Sequence, residues 1–351
     1  MFFKISPLDN LYFGKGSPFS AGVDTIGKST FPPSPATFYG AFASYYLVLN
    51  GNTPKTIDII KNTLQIKGIH YMLGSTVHSL APLDLVKDKN QTKNEFIPLK
   101  LTRPFVYSNF PEDSMNLLYS QYEVENKLGL IDDIAMKDYL NNRLNTIPYL
   151  DLLNYVQEEA KIGIKREQIT RTVEEGYLYK VNYIRLAKDL ENKLDFVIDL
   201  KFDNDALPFP EEGIIKLGGE GKAATFKKIE GKPSFLEYSN REIIKSLINK
   251  EKKFKIILNT PAVFKNGWKP DLKRFGLNAK LVTAILGKPL SIGGWDMEKM
   301  QAKPMYKLVP AGSVFYYELL EGEIDNFMEN TFSISDFREN EGFGSYLLGV
   351  Y

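Results

Sequence analysis

The stretch GIIKLGGEGKAATFKKI, residues 213–229, crowds three glycines around Glu220 and sets Lys222 behind them, the ingredients of a phosphate-holding loop. Two familiar patterns fail on spacing. A P-loop needs glycine five positions before the Gly-Lys pair and Ser or Thr after the lysine; here those places hold Lys216 and Ala223. The dinucleotide fingerprint fails as well, because Gly219, Gly221 and Ala224 do not reproduce its spacing within a strand–helix unit. Comparable glycine loops recur at YFGKGSPF (12–19), which contains Lys15 and Gly16, at KRFG (273–276) and at EGFG (341–344). Glycine lets a backbone approach an extended phosphate chain, and successive amides can form an anion nest. Lys15, Lys222, Lys273 and Arg274 can neutralise phosphates, and Phe13, Phe275 and Phe343 can offer stacking faces to unpaired bases. One such loop is an ordinary tight turn; four together point to RNA.

Other chemistry is sparse. His70 and His78 are the only histidines, with no acidic cluster at metal spacing, so both read as packed or surface residues. Zero cysteines excludes thiol nucleophiles, disulfides and thiolate metal sites. No Gly-x-Ser-x-Gly elbow occurs. The pairs Asp132-Asp133, Glu158-Glu159 and Glu174-Glu175 are neighbours in sequence, whose side chains usually point apart. No catalytic constellation, metal site or cofactor is expected.

The elements that must position these loops follow from periodicity and punctuation. Residues 1–6 read as a strand. Pro32, Pro33 and Pro35 then hold back a helix at 36–49 whose Phe38, Phe42, Tyr45, Tyr46 and Leu49 share one buried face. Strands are predicted at 65–73, 79–86, 195–202 and 254–264, and a β-hairpin with a polar tip at 160–186. Residues 87–95 read as a surface loop, and 113–157 as an insertion on the scaffold. The lysine-rich stretch 245–255 reads as a solvated linker face following a helix. Residues 271–287 read as a helix or broken helix, IGGWD as a turn, and 305–320 as a strand pair or kinked strand. Aromatic segments at 104–110 and 313–320 read as core strands, part of which can be a docking patch.

The chain of 351 residues has 43% apolar and 25% charged residues, as a globular protein with a full core requires. Lys and Arg total 44 against 43 acidic residues, so anion sites must be local and RNA binding by the isolated chain should be weak. No signal-like apolar stretch opens the sequence and no run approaches membrane-spanning length, giving a soluble, cytoplasmic expectation.

PLDNLYFGKGSPF, PPSPATFYGAF, IGI followed by EEGYLY, LGGEGK, IGGWD, VPAGSVFYYE and GFGSYLLG occur in an order that resembles one family across residues 7–349. It is the RAMP-type subunit of type III-B CRISPR (Cmr) effector complexes that sits beside the large polymerase/cyclase-like subunit. The resemblance implies an α+β fold of two ferredoxin-like (RRM-like) RAMP modules, at 1–240 and 241–351. The first would carry an insertion at about 87–190 that includes a thumb-like hairpin at 160–186. It implies a non-catalytic subunit that grips the crRNA 5′ handle and docks the large subunit and neighbouring RAMP backbone subunits. Gly218, Gly219, Gly221 and Lys222 would form the first module's loop, and Gly342, Phe343 and Gly344 the second's. Relatives carry two arginines after the first Pro-Leu-Asp, both missing here, which shifts handle contacts toward backbone amides and Lys15, Lys28 or Arg274. The alternative is a crRNA-processing endoribonuclease of the same superfamily, commonly dependent on a histidine.

Overall fold

The computed structural model describes residues 1–14, 26–102, 116–143, 145–167, 170, 172–187, 193–203, 208–296 and 301–351. Lys15, Gly16 and the 104–110 segment lie outside them.

The first half is built on strands β1 (Phe2–Pro7), β2 (Leu64–Leu73), β3 (Thr76–Leu80), β4 (Gly129–Asp132) and β5 (Leu150–Asp151). It continues through a long antiparallel pair, β6 (Val156–Arg166) and β7 (Val173–Leu186), then β8 (Leu194–Phe202), β9 (Glu212–Lys216) and β10 (Ala223–Ile229). Apart from β6 and β7 these make one sheet in the order β5-β4-β3-β2-β8-β1-β10-β9. The second half contributes β11 (Lys253–Leu258), β12 (Asn278–Ile285), β13 (Val314–Glu321) and β14 (Tyr346–Gly349), in the order β12-β13-β11-β14. Neighbours among β10, β1, β8 and β2, and among all four strands of the second sheet, are antiparallel.

Helix α1 (Pro35–Asn50) begins where Pro35 takes the first helical position and stops at Gly51, whose φ of 81° a side chain would resist. Its buried Phe38 and Phe42 meet Phe196, Phe3 and Phe226 at ring-centroid distances of 5.0, 5.7 and 5.7 Å. These contacts form an aromatic core over the first sheet. Leu49, expected on the buried face, is instead exposed at the helix end. A second helix, α2 (Pro54–Thr63), escapes the periodicity reading; Thr53 caps it by accepting the Thr56 amide at 3.2 Å.

Other expectations need correction. The strand read at 79–86 is two strands, because Ala81-Pro82 breaks the ladder between β3 and a short strand at Leu85–Asp88. The surface loop read at 87–95 keeps its polar tip but is bounded by this strand and another at Glu95–Pro98. Residues 271–287 form one 3₁₀ turn and then β12, an edge strand whose Leu281, Val282 and Thr283 are nonetheless buried. The 305–320 strand breaks at Pro310, and its parts (Tyr306–Leu308 and β13) join different sheets. The 113–157 region is more than a surface insertion, since β4 and β5 extend the first sheet. Helix α3 (Asp133–Leu140) packs with Leu85, Phe96, Ile131 and Tyr149 into the core under the second sheet.

Helices α4 (Tyr238–Glu251) and α5 (Ile324–Asn330) complete that second unit. The lysine-rich stretch read as a solvated linker is the end of α4 and the start of β11, and Lys255 is buried. Its ammonium lies 3.9 Å from Asp84 and 3.4 Å from the centre of the Tyr139 ring. Asp84, also buried, accepts the Tyr139 hydroxyl at 2.7 Å and the Tyr316 hydroxyl at 2.5 Å. Burial pulls Lys255 down to about 8, against the opposing charge of Asp84. The halves are also joined by the Leu83 amide on the Gly312 carbonyl (2.8 Å) and the Val350 amide on the Leu140 carbonyl (2.9 Å). Among the described residues, no helix is long and apolar enough to cross a membrane.

Candidate nucleic-acid interface

The opening stretch is a β-hairpin: β9 and β10 pair from Glu212–Lys227 to Lys216–Ala223, and LGGEGK is its tip. Leu217, fully buried, roots the tip, and its amide bonds the Lys222 carbonyl at 2.9 Å. Gly218 has a φ of 78°, and a Cβ there would run into the Tyr12 carbonyl oxygen. That same carbonyl receives the Gly219 amide at 2.8 Å. Glycine is thus required where the tip lies flat against Tyr12. The amides of Gly218, Glu220 and Gly221 donate to no described residue, and the tip is exposed.

Two further segments meet the tip. Leu11 exchanges both backbone hydrogen bonds with Ile184 at 2.7 Å, stitching residues 8–14 to the β6–β7 arm. The strand Ile26–Lys28 adds to the arm in parallel, with Lys28 opposite Asn182. The predicted hairpin at 160–186 is this arm, which begins four residues earlier at Val156. The loop, the arm and the PLDNLYF segment, read separately from sequence, therefore form one junction.

Its charges are largely matched internally. Lys222 Nζ meets Asp9 Oδ2 at 2.7 Å and sits 4.9 Å from the Tyr183 ring centre. The hydrogen bond between them holds the Asp9 carboxyl below, and the Lys222 ammonium above, their ordinary values. Glu159 accepts from Asn10 Nδ2 at 2.8 Å and pairs with Arg185, and these contacts lower its carboxyl. Lys161 lies 5.0 Å from the Tyr183 ring. Lys28 is exposed, and its pairing with Asn182 sets it on the opposite face of the arm from Tyr183. Sequence reasoning missed Asp9, Asn10, Tyr12, Glu159 and Tyr183; the PLDNLYF motif held the signal for the first three. Phe13 is buried and packs edge-on against Phe196, offering no face to a base.

The other glycine loops lie elsewhere. In KRFG, Arg274 pairs with Asp336 at 2.5 Å, donates to the Ser335 carbonyl at 2.8 Å and covers Phe275. Phe275 in turn packs on Phe327, while Lys273 is exposed. Gly342, with φ of 95°, is pressed against Ile66 and Pro35; a Cβ there would fall 2.8 Å from Ile66 Cβ. Phe343 is fully buried beneath Arg338 and shows no stacking face, and Gly344 lies against Ser333 and Ser335. This loop joins the two halves instead of forming part of the junction.

Both histidines are packed. His70 Nδ1 is 2.9 Å from Ser79 Oγ, its ring edge meets Phe235, and burial lowers it to about 4. His78 donates from Nδ1 to the Thr76 carbonyl at 3.0 Å, and burial lowers it as well. Among the described residues no group of His, Asp and Glu is arranged to hold a metal ion.

The chain is thus an α+β fold of two antiparallel-sheet units in which a glycine-tipped hairpin and a long arm meet at one junction. The sequence model of the Cas_Cmr3 family of CRISPR-associated proteins matches residues 3–351, and the chain belongs to that family. The CRISPR system CMR subunit Cmr3 of Saccharolobus solfataricus is 25% identical over 228 residues, covering 63% of this chain and 60% of that protein. A chain in the type III-B Cmr-beta structure bound to cognate target RNA matches with TM-score 0.54 at 16% identity, covering 99% and 96% of the two chains. One in the Cmr-beta structure bound to cognate target RNA and AMPPnP matches with TM-score 0.53 at 17% identity, covering 90% and 86%. The family resemblance drawn from the motifs holds, and the structural likenesses extend it to the fold.

Proposed function

We propose that the chain is a non-catalytic crRNA-binding subunit of a type III-B effector complex, holding the 5′ handle at the junction of residues 8–14, the 217–222 tip and the β6–β7 arm. The observation that carries this reading is the exposed tip beside the arm, seated on Tyr12 through Gly218 and Gly219, with the amides of Gly218, Glu220 and Gly221 donating to no described residue. Such amides suit a phosphate backbone whose sequence need not be read. The matched charges at the junction put the weight on backbone contacts, with Lys161 as the cation on the Tyr183 face of the arm and Lys28 reaching RNA only along its other face. Lys222 holds the loop to Asp9, Lys273 is available from the second half, and Lys15 and Gly16 extend the same segment. In both halves four strands follow the order fourth, first, third, second (β10-β1-β8-β2 and β14-β11-β13-β12). This order supports reading 1–240 and 241–351 as ferredoxin-like RAMP modules, each with one connecting helix reduced or absent. Partners are the crRNA, the large polymerase/cyclase-like subunit and neighbouring RAMP subunits, in the cytoplasm. The heterodimer with the large subunit forms before RNA is added.

The test measures binding of a repeat-handle RNA to the chain co-purified with its large partner. Gly219→Asp, which puts a carboxylate among the tip amides, should weaken binding several-fold. Unchanged affinity sinks the loop assignment. Metal-independent cleavage of repeat RNA that is lost in His70→Gln or His78→Gln would instead favour the endoribonuclease reading.

A further inference from the structure

A second feature lies outside the glycine-loop junction. Between the two halves is a cavity of about 310 Å³, at the small end of the range in which ligand sites fall. Its walls combine three kinds of chemistry. Phe332 and Tyr346 supply aromatic surface; the Tyr346 hydroxyl is fixed on the Thr331 carbonyl at 3.1 Å. Lys67, Lys232 and Arg241 supply positive charge, and the Lys67 ammonium lies 5.9 Å from the centre of the Phe332 ring. Arg241 spends one of its donors on the Met328 carbonyl. Neither Lys67 nor Lys232 forms an ion pair with a described residue.

The third element is Asp199, on β8. Its side chain is 21% exposed, and its nearest charged partner is the Met1 ammonium at 3.8 Å, too far for a hydrogen bond. No described group donates a hydrogen bond to this carboxylate. A half-buried carboxylate that accepts no hydrogen bond from a described group, facing an aromatic and basic cavity, has acceptor capacity for a ligand that brings paired N–H donors. Burial raises the Asp199 carboxyl, against the opposing pull of the Met1, Lys67 and Lys232 ammonium groups. Among nucleobases, guanine presents two adjacent donors, its ring N–H and exocyclic amine, on one edge. Adenine and cytosine present one amino group, and uracil one ring N–H. Stacking on an aromatic ring with edge-on hydrogen bonding is how proteins read an unpaired base. The three cations account for the phosphate.

We propose that this cavity binds a guanine nucleotide, with the base edge on Asp199, the ring against Phe332 and the phosphate among Lys67, Lys232 and Arg241. The site is separate from the 217–222 tip and does not depend on the handle-binding reading, since a free mononucleotide satisfies it.

Calorimetric titration of the full chain with GMP, AMP, CMP and UMP tests this directly. GMP should bind tighter than the other three by about tenfold, the scale of one bidentate base contact. Asp199→Asn, nearly isosteric, should erase that preference while leaving Tm close to wild type. Phe332→Ala should weaken all four nucleotides alike, and Lys232→Glu should weaken GMP but not guanosine. A short oligonucleotide with one unpaired guanine, set against its adenine counterpart, then identifies the source: displacement of GMP by the first alone assigns the site to an RNA base, and displacement by neither assigns it to the free nucleotide. No heat with GMP at millimolar concentration, equal affinity for all four nucleotides, or an unchanged preference in Asp199→Asn overturns the proposal. Handle binding at the tip can fail while GMP binds, so the two readings fail separately.

Discussion

Replacing Asp84 by Asn should destabilise the protein far more than an exposed charge change would. Asp84 gathers two buried hydroxyls and faces the buried Lys255 ammonium. The amide keeps the shape but removes the charge, and it offers one acceptor oxygen to two hydroxyl donors. An ammonium left in the interior without its counter-charge costs about 3–5 kcal/mol. For a chain of this size that is a fall of roughly 10 °C in Tm. Lys255→Met alone should cost less, because both tyrosines still satisfy the carboxylate. The double variant Asp84→Asn/Lys255→Met should recover much of the single-variant loss, since no charge then remains to be stranded. The assay is thermal and urea unfolding of all four proteins, read as a double-mutant cycle. Strictly additive losses, or an Asp84→Asn loss below about 1 kcal/mol, would refute the reasoning. The pH dependence gives a second check. Lys255 is depressed to about 8 in the fold, against an ordinary value of 10.5. Between those values the unfolded chain holds a proton that the folded one has released, so stability should rise with pH from 8 to 10.5. The rise is worth roughly 3 kcal/mol and should vanish in Lys255→Met.

Acid should expose the other packed base. His70 is lowered to about 4 from 6.5, so the unfolded state binds the extra proton and stability should fall as pH drops from 6.5 toward 4. His70→Gln should flatten that fall in pH-dependent melting. Gly218→Ala, strained at φ 78° and pressed on Tyr12, should lower stability by about 1–3 kcal/mol. Gly221→Ala, at φ 65° with open space around it, should cost less in the same unfolding assay.

Much of the architecture was legible because local punctuation agreed with tertiary structure. Pro35 and Gly51 framed α1, and alternation gave β1, β2 and β8 nearly to the residue. The errors arose where burial overrode pattern. Residues 271–287 read as a helix or broken helix, but the β-branched Val282, Thr283 and Ile285 favour a strand, and Leu281, Val282 and Thr283 lie buried in the second sheet. Lys255 read as solvated because nothing nearby in sequence reveals Asp84, 171 positions upstream. Glycine marked the hairpin tip, since Gly218 has a positive φ against a carbonyl. The surroundings of the charged and aromatic residues were not legible, because pairing and burial are tertiary properties: Asp9 and Asp336 pair with Lys222 and Arg274, and Phe13 and Phe343 are core.

The core beneath the second sheet is filled from both sides of a long interval of chain. Leu85, Phe96, Tyr139 and Tyr149 share one buried cluster with residues of β11, β13 and β14. On a ribosome those early residues emerge first and wait. The strand at 346–349 follows Tyr149 by about 200 residues, an interval of about 10–40 s at ordinary rates of synthesis. Through that time the part of the cluster contributed by residues 85–149 lacks the strands that complete it. A nascent chain stalled within it would present a sticky, half-covered surface, the kind that chaperones hold and that associates with other chains. Synthesis order thus makes the final strand a timer. The cluster closes only after β14 has been laid down.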